Sequence, residues 1–143
     1  MLLVNARAGI SAIHGLGLIS GQLIVEGTTI WQFQPGFDVA VTEEEYAKLP
    51  LNARSAIDYY SYHCKAAGIH VLSSDDDRFT NHADNPNSIF VGGVTIAVRD
   101  IQPGEEVTMN YVEFEEIPAL PKVLISLVEE RRRLLALPSQ AGF

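Results

Sequence analysis

From residue 1 to residue 41 the apolar positions fall in short clusters, separated by Gly9, Gly15, Gly17, Gly21, Gly27, Pro35 and Gly36. Clusters this short, closed off by turn formers, predict strands rather than helices. The clearest are residues 22–26 and 28–33, with Glu26-Gly27 as the turn between them. The pattern changes at Thr42-Glu43-Glu44-Glu45. There the threonine oxygen can cap a backbone N–H while Glu45 reaches back to the cap residue, so a short helix is predicted to follow and to end before Pro50. Ala53, Ala56, Ile57 and Tyr60 recur at helical spacing and predict a second helix over 52–62. Ala67-Gly68 stops that pattern, and 69–72 reads as a strand. Residues 88–91 and 94–98 flank Gly92-Gly93, a connection able to take the positive φ angles of a tight hairpin. Pro103-Gly104 marks another turn before a strand over 107–111.

The tail is different. Pro118 and Pro121 mark a linker, and residues 122–137 can be helical, with Val123, Leu124, Leu127 and Val128 on an apolar stripe and Glu129, Glu130, Arg132 and Arg133 on the wet side. That stripe either docks on its own domain or pairs with a second copy. The expected organisation is a domain over 1–114 and a linker and helix over 115–143, without internal repeats. A chain of 143 residues is the size of one core.

The formal net charge of -8 argues against a nucleic-acid binder, whose affinity would come from neutralising phosphates with Lys and Arg. An acidic surface favours cationic partners such as lysine-rich protein segments, or serves only solubility. Cys64 is the only cysteine, which excludes an intrachain disulfide and a cysteine-rich zinc site. His14, His63, His70 and His82 stand at no compact ligand spacing, so no metal is expected. No apolar run approaches the ~20 residues that span a bilayer, and the N-terminus lacks a basic flank before a long apolar stretch. The expectation is a cytoplasmic protein without membrane contact; secretion by a route lacking a classical signal peptide would look the same.

Three segments carry candidate chemistry. Gly15-Leu16-Gly17 permits close backbone approach to a ligand, or simply makes a tight turn. Arg78-Phe79-Thr80-Asn81-His82-Ala83-Asp84-Asn85-Pro86-Asn87 is dense in polar side chains yet flanked by apolar residues. Its Asn and His groups must be hydrogen-bonded if buried, either to a ligand or to a network of loop caps. Gly104-Glu105-Glu106-Val107-Thr108-Met109-Asn110-Tyr111 places a phenol at a strand terminus, as part of a site or as a half-buried core residue. The phenol, with a pKa near 10, is normally neutral.

In this order and spacing, and preceded by Ile13-His14-Gly15-Leu16-Gly17-Leu18, these motifs resemble the SET-domain family of protein-lysine methyltransferases. The likeness covers roughly residues 3–114. The layout is closest to the compact bacterial members without zinc-binding flanking modules, which share a stretch like Ile30-Trp31-Gln32-Phe33-Gln34-Pro35-Gly36-Phe37 and an acidic run, here Asp75-Asp76-Asp77, readable also as a solvated turn. The resemblance implies a mostly β fold with added helices: a β-clip-like SET fold of several small sheets with a C-terminal pseudoknot and a C-terminal helix. It implies methyl transfer from S-adenosylmethionine, leaving S-adenosylhomocysteine, to a lysine ε-amine of a protein substrate that the acidic surface would favour as basic.

By the same resemblance, His14, Gly15, Leu16, Gly17, Arg78, Phe79, Asn81 and His82 would hold the cofactor, and Tyr111 would be catalytic. Phe33, Tyr60, Tyr62 and Phe114 would line the lysine channel, and the tail would close the substrate side; a homodimer through the tail helix rests on its apolar stripe alone. Three departures stand out: Ala83 where serine is usual, Asn110 for the usual aspartate, and Phe33 for a channel tyrosine. The alternatives are a SET-like module that binds cofactor with weak or no turnover, and a non-enzymatic interaction protein.

Overall fold

The computed structural model describes residues 1–65, 67–91 and 93–112. In chain order the elements begin with β1 (Ala6–Ile10), β2 (Leu16–Ser20), β3 (Thr29–Gln32), β4 (Val39–Thr42), α1 (Glu43–Lys48) and α2 (Leu51–Tyr60). They continue with β5 (Tyr62–Cys64), β6 (Ile69–Leu72), a 3-10 turn (Asp76–Phe79), β7 (Asn81–His82), β8 (Ser88–Val91), β9 (Val94–Ala97) and β10 (Glu106–Met109). The strands gather into small sheets of order β1-β2-β10-β7, β3-β9-β8 and β4-β6-β5. This is the expected fold class, small β sheets with few helices. The tail linker and helix, and Phe114, lie outside the described residues.

Two apolar clusters join the sheets. Trp31, Phe33, Ala40, Cys64, Ile69 and Val71 pack together between the second and third sheets, Phe33 from just past β3. Leu18, Ile24, Ile30, Ala97, Ile101 and Val107 do the same for the first and second. Each fully buried aliphatic side chain of this kind stabilises by about 1.5–3 kcal/mol. Met109 is buried between Tyr62 and Phe90, which ties the end of β10 into the same interior.

Local chemistry explains where elements begin. Thr42 Oγ1 accepts from the Glu45 N–H at 3.1 Å and Glu45 Oε2 accepts from the Thr42 N–H at 2.9 Å, the expected capping box at the start of α1. α2 ends at Tyr60 rather than 62, because Tyr62 leaves the helix to pair with Val71 in the β5–β6 hairpin. Residues 22–26 do not form the predicted strand. Only Ile24 bridges, exchanging hydrogen bonds with Ile101 at 2.9 and 2.8 Å, while Leu23 and Val25 are exposed. The apolar cluster was real, but only its central residue is buried, and one buried residue between two exposed ones needs only one bridge. No helix among the described residues is long and apolar enough to cross a membrane.

Candidate active site

The two polar motifs meet through one parallel pairing. β7 lies beside β10 with Asn81 opposite Thr108 and His82 opposite Met109, and the Ala83 N–H donates to the Met109 carbonyl at 3.0 Å. Asn87 holds β10 from the other motif's end. Its side chain donates to the Glu106 carbonyl and accepts from the Thr108 N–H, both at 2.8 Å, so a buried amide stands in for a neighbouring strand. The acidic run is not a solvated turn. Asp75 accepts from the Leu2 N–H, Asp76 accepts from the Ala8 N–H, and Asp77 is buried.

Asn81 ties the N-terminal segment to this pair. Its Nδ2 lies 3.0 Å from the His14 and Leu16 carbonyls, 3.1 Å from Ser11 Oγ and 2.8 Å from Glu106 Oε1. Ser11 in turn donates to the Glu106 carboxylate at 2.8 Å and accepts from the Ile13 and His14 N–H groups. The glycines of this segment do different work. Gly15 has φ +50, the left-handed region that a side chain disfavours, and a Cβ there would meet open space. A Cβ on Gly17 would sit 2.2 Å from Glu106 Oε1. The close approach that Gly17 permits is therefore to this chain's own carboxylate.

Around this network opens a cavity of about 460 Å³, lined by His14, Leu16, Arg78, Phe79, Asn81, His82, Tyr60 and Tyr111 of the predicted residues. Ile13, Tyr59 and Thr80 complete the lining. Tyr59, Tyr60 and Phe79 form an aromatic wall, their rings edge to face at 4.8 and 6.1 Å, and the Arg78 guanidinium lies 5.1 Å from the Phe79 ring centroid. A second cavity of about 210 Å³ shares Tyr59, Tyr60, Arg78, Thr80 and Tyr111 with the first and adds Tyr62.

Tyr111 lies just past the end of β10 and is helical rather than part of the strand. Its N–H donates to His82 Nδ1 at 3.1 Å. The other ring nitrogen of His82 faces Asp84 Oδ1 at 3.1 Å, so Nε2 carries the proton and the ring is fixed. The Tyr111 hydroxyl donates to the Thr80 carbonyl. Burial first, then the charge of Asp77, push the phenol above its usual value, so it is neutral at physiological pH and its oxygen keeps lone pairs to accept with.

Behind Thr80, the Asp77 carboxylate accepts from Ser73 Oγ at 2.7 Å and from the Tyr62 hydroxyl at 2.9 Å, while its Oδ1 has no partner. Burial raises its carboxyl to about 6 against the stabilising pull of those two donors. Tyr62, half-buried with its hydroxyl against that carboxylate, is pushed well above the ordinary phenol by desolvation first and then by the Asp77 charge.

Phe33 does not join the cavities. It is 4% exposed and packs edge to face on Trp31 at 6.5 Å, a core position in the structure. Ser11, Thr80, Asp77 and Glu106 were given no role from the sequence, although Thr80 and Glu106 sit inside quoted motifs and Asp77 in the acidic run. Ser11 and Glu106 act through partners far away in the chain, and Asp77 and Thr80 meet Tyr62 and Tyr111 only in the fold.

A family model described as the SET domain matches residues 15–112. The chain belongs to the SET-domain family. Among solved structures, this SET domain is similar to a Plasmodium falciparum candidate histone methyltransferase at 22% identity and TM-score 0.55, covering 77% of this chain and 95% of that one. It is also similar to apo ctPRC2 in an autoinhibited state, at 23% identity and TM-score 0.59, over 90% of this chain and 17% of that chain. A humanized mutant of the Chaetomium thermophilum Polycomb Repressive Complex 2, bound to an inhibitor, matches at 22% identity and TM-score 0.57, over 81% of this chain and 16% of that one. The chain thus spans a small fraction of the two complex subunits, and at these identities the likeness is one of fold. No curated protein matches it in sequence. The Asn110 departure has a visible local use in this SET domain: its Oδ1 accepts from the Val112 N–H at 3.1 Å and caps the turn that carries Tyr111.

Proposed function

We propose that the chain is a protein-lysine methyltransferase using S-adenosylmethionine, a reading carried by the parallel β7–β10 pairing that gathers Asn81, His82 and Tyr111 around one cavity with the His14–Leu16 segment. The set of acceptors suits the ammonium of the cofactor's amino-acid end. Asn81 Nδ2 has two hydrogens but four acceptors within reach, so acceptors remain for a ligand ammonium. His14, Leu16 and Asn81 would hold that end, and Phe79 and Arg78 the flatter adenosine part. When bound, S-adenosylmethionine supplies an electrophilic methyl group on a sulfonium.

The protein's share is alignment. A neutral Tyr111, its hydroxyl proton committed to Thr80, offers its oxygen to an incoming lysine amine and orients the lone pair. The aromatic rings of Tyr59, Tyr60 and Tyr62 would wall the methylene stem and face the methylated ammonium through cation-π attraction. Desolvation of the amine in such a channel lowers its pKa and frees the attacking lone pair. The substrate on this reading is a lysine-bearing, basic segment, matched to the net charge of -8.

The test is transfer of labelled methyl from S-adenosylmethionine to a panel of basic proteins, comparing wild type with Tyr111→Phe. The variant should lose on the order of a hundredfold in transfer, the scale of a misplaced reacting group, while still binding cofactor. Full activity in Tyr111→Phe would overturn the assignment. Cofactor binding without transfer to any member of the panel would favour a SET module without turnover.

A further inference from the structure

We propose that Glu43, His63 and His70 form a binding site for a divalent transition-metal ion of the zinc type, on the hairpin beside the second cavity. The histidines stand apart in sequence, but the β5–β6 register sets them directly opposite each other, so both rings leave the same face. The rings stack at 4.1 Å with 6° between their planes. Glu43, the first residue of α1, is brought over this face because β4 pairs with β6 and the Glu43 N–H donates to the Gly68 carbonyl at 3.0 Å. Glu43 Oε1 lies 2.5 Å from His63 Nε2 and 3.5 Å from His70 Nε2.

The unsatisfied atom is His70 Nε2. The residue is 4% exposed, its Nδ1 faces Ser61 Oγ at 3.3 Å, and Nε2 is buried without a hydrogen-bond partner. Its ring is clamped between His63 and the Tyr46 ring, stacked at 4.6 Å, so it does not turn away easily. A proton shared by His63 and Glu43 would satisfy that pair and leave His70 Nε2 orphaned. A cation among the three serves all of them.

The ligand set fits the chemistry. Two imidazole nitrogens and a carboxylate suit zinc, and bonds of about 2.0–2.1 Å place tetrahedral ligand atoms about 3.3 Å apart. The three atoms lie within 4.8 Å of one another; because the stacked rings aim their lone pairs along parallel planes, the partly exposed His63 ring turns out of the stack to converge with His70 and Glu43 on one ion. Ser61 would act as the outer partner that orients His70. Glu43 is exposed and His63 partly so, which leaves a fourth position for water. Because His63 also lines the second cavity, the ion would tie α1 to the segment carrying Tyr59, Tyr60 and Tyr62. The inference stands independently of the methyl-transfer reading.

The experiment is calorimetric titration of the chelator-stripped full chain with zinc chloride, with cobalt(II) as a spectroscopic probe of tetrahedral geometry. Wild type should take up one equivalent and show the d–d bands of a tetrahedral site. Because His70→Ala opens a cavity in the fold, the deciding variants are His63→Ala and Glu43→Gln, each checked for native circular dichroism. Each should lose at least about tenfold in zinc affinity, the lower end of what removing even an outer-shell partner costs. Failure of the wild type to bind one equivalent, or wild-type affinity in both folded variants, would overturn the site.

Discussion

Replacing Asp77 with asparagine should remove a pH dependence of stability that the fold builds in. Burial raises this carboxyl from 3.8 to about 6, a change of about 2 units, and each unit corresponds to about 1.36 kcal/mol. Below the unfolded value both states hold the proton and the group has no effect. Between the two values the unfolded chain has released its proton while the native one keeps it, so stability falls as pH rises. Above the folded value the loss is complete, at about 3 kcal/mol. Asparagine can still accept from Ser73 and Tyr62, and its amide nitrogen would take the place of the unpartnered Oδ1. That adds a pH-independent cost of about 1–3 kcal/mol. Urea unfolding of both proteins from about pH 4 to about pH 7 cancels the other carboxylates, and the stability of wild type minus variant should drop by about 2–3 kcal/mol across that range. A difference that stays flat, or rises with pH, would refute the reasoning.

Two further substitutions probe the architecture. Gly17→Ala drives a Cβ into the Glu106 carboxylate that anchors Ser11 and Asn81, so denaturant unfolding should show a loss of about 1–3 kcal/mol and cofactor affinity should fall with it; a variant as stable as wild type would contradict the crowding. Thr42→Ala removes half of the capping box of α1 and should cost about 1 kcal/mol in the same assay, whereas no change would mean that tertiary contacts alone hold the helix.

What was legible in the sequence was what short-range chemistry decides. The capping box at Thr42 and Glu45 is complete within four consecutive residues, and the α1 helix begins where it was expected. The Gly93 and Gly104 turns likewise need only local backbone freedom, with φ of +89 and +83. The parallel β7–β10 contact was not readable, because β7 is a two-residue strand whose pairing is fixed by the Asn87 amide and by residues of β10. Tyr62 was read into a helix since its strand partner, Val71, lies beyond the turn at Gly68. Of the candidate site residues, those in the 78–82 motif line the cavity together with Tyr111. Phe33 lies in the core because Trp31 and residues of β4, β5 and β6 close around it, a contact between strands distant in sequence.

The central claim is a cofactor site organised by Asn81, and calorimetric titration of the folded protein with S-adenosylmethionine and S-adenosylhomocysteine tests it most directly, with Asn81→Ala beside it. The account predicts that wild type binds both ligands and that the variant, having released the His14 and Leu16 carbonyls and Glu106, binds them at least about tenfold more weakly, the scale of losing about 1.4 kcal/mol. A folded wild type that binds neither ligand, or an Asn81→Ala protein with unchanged affinity, would contradict it.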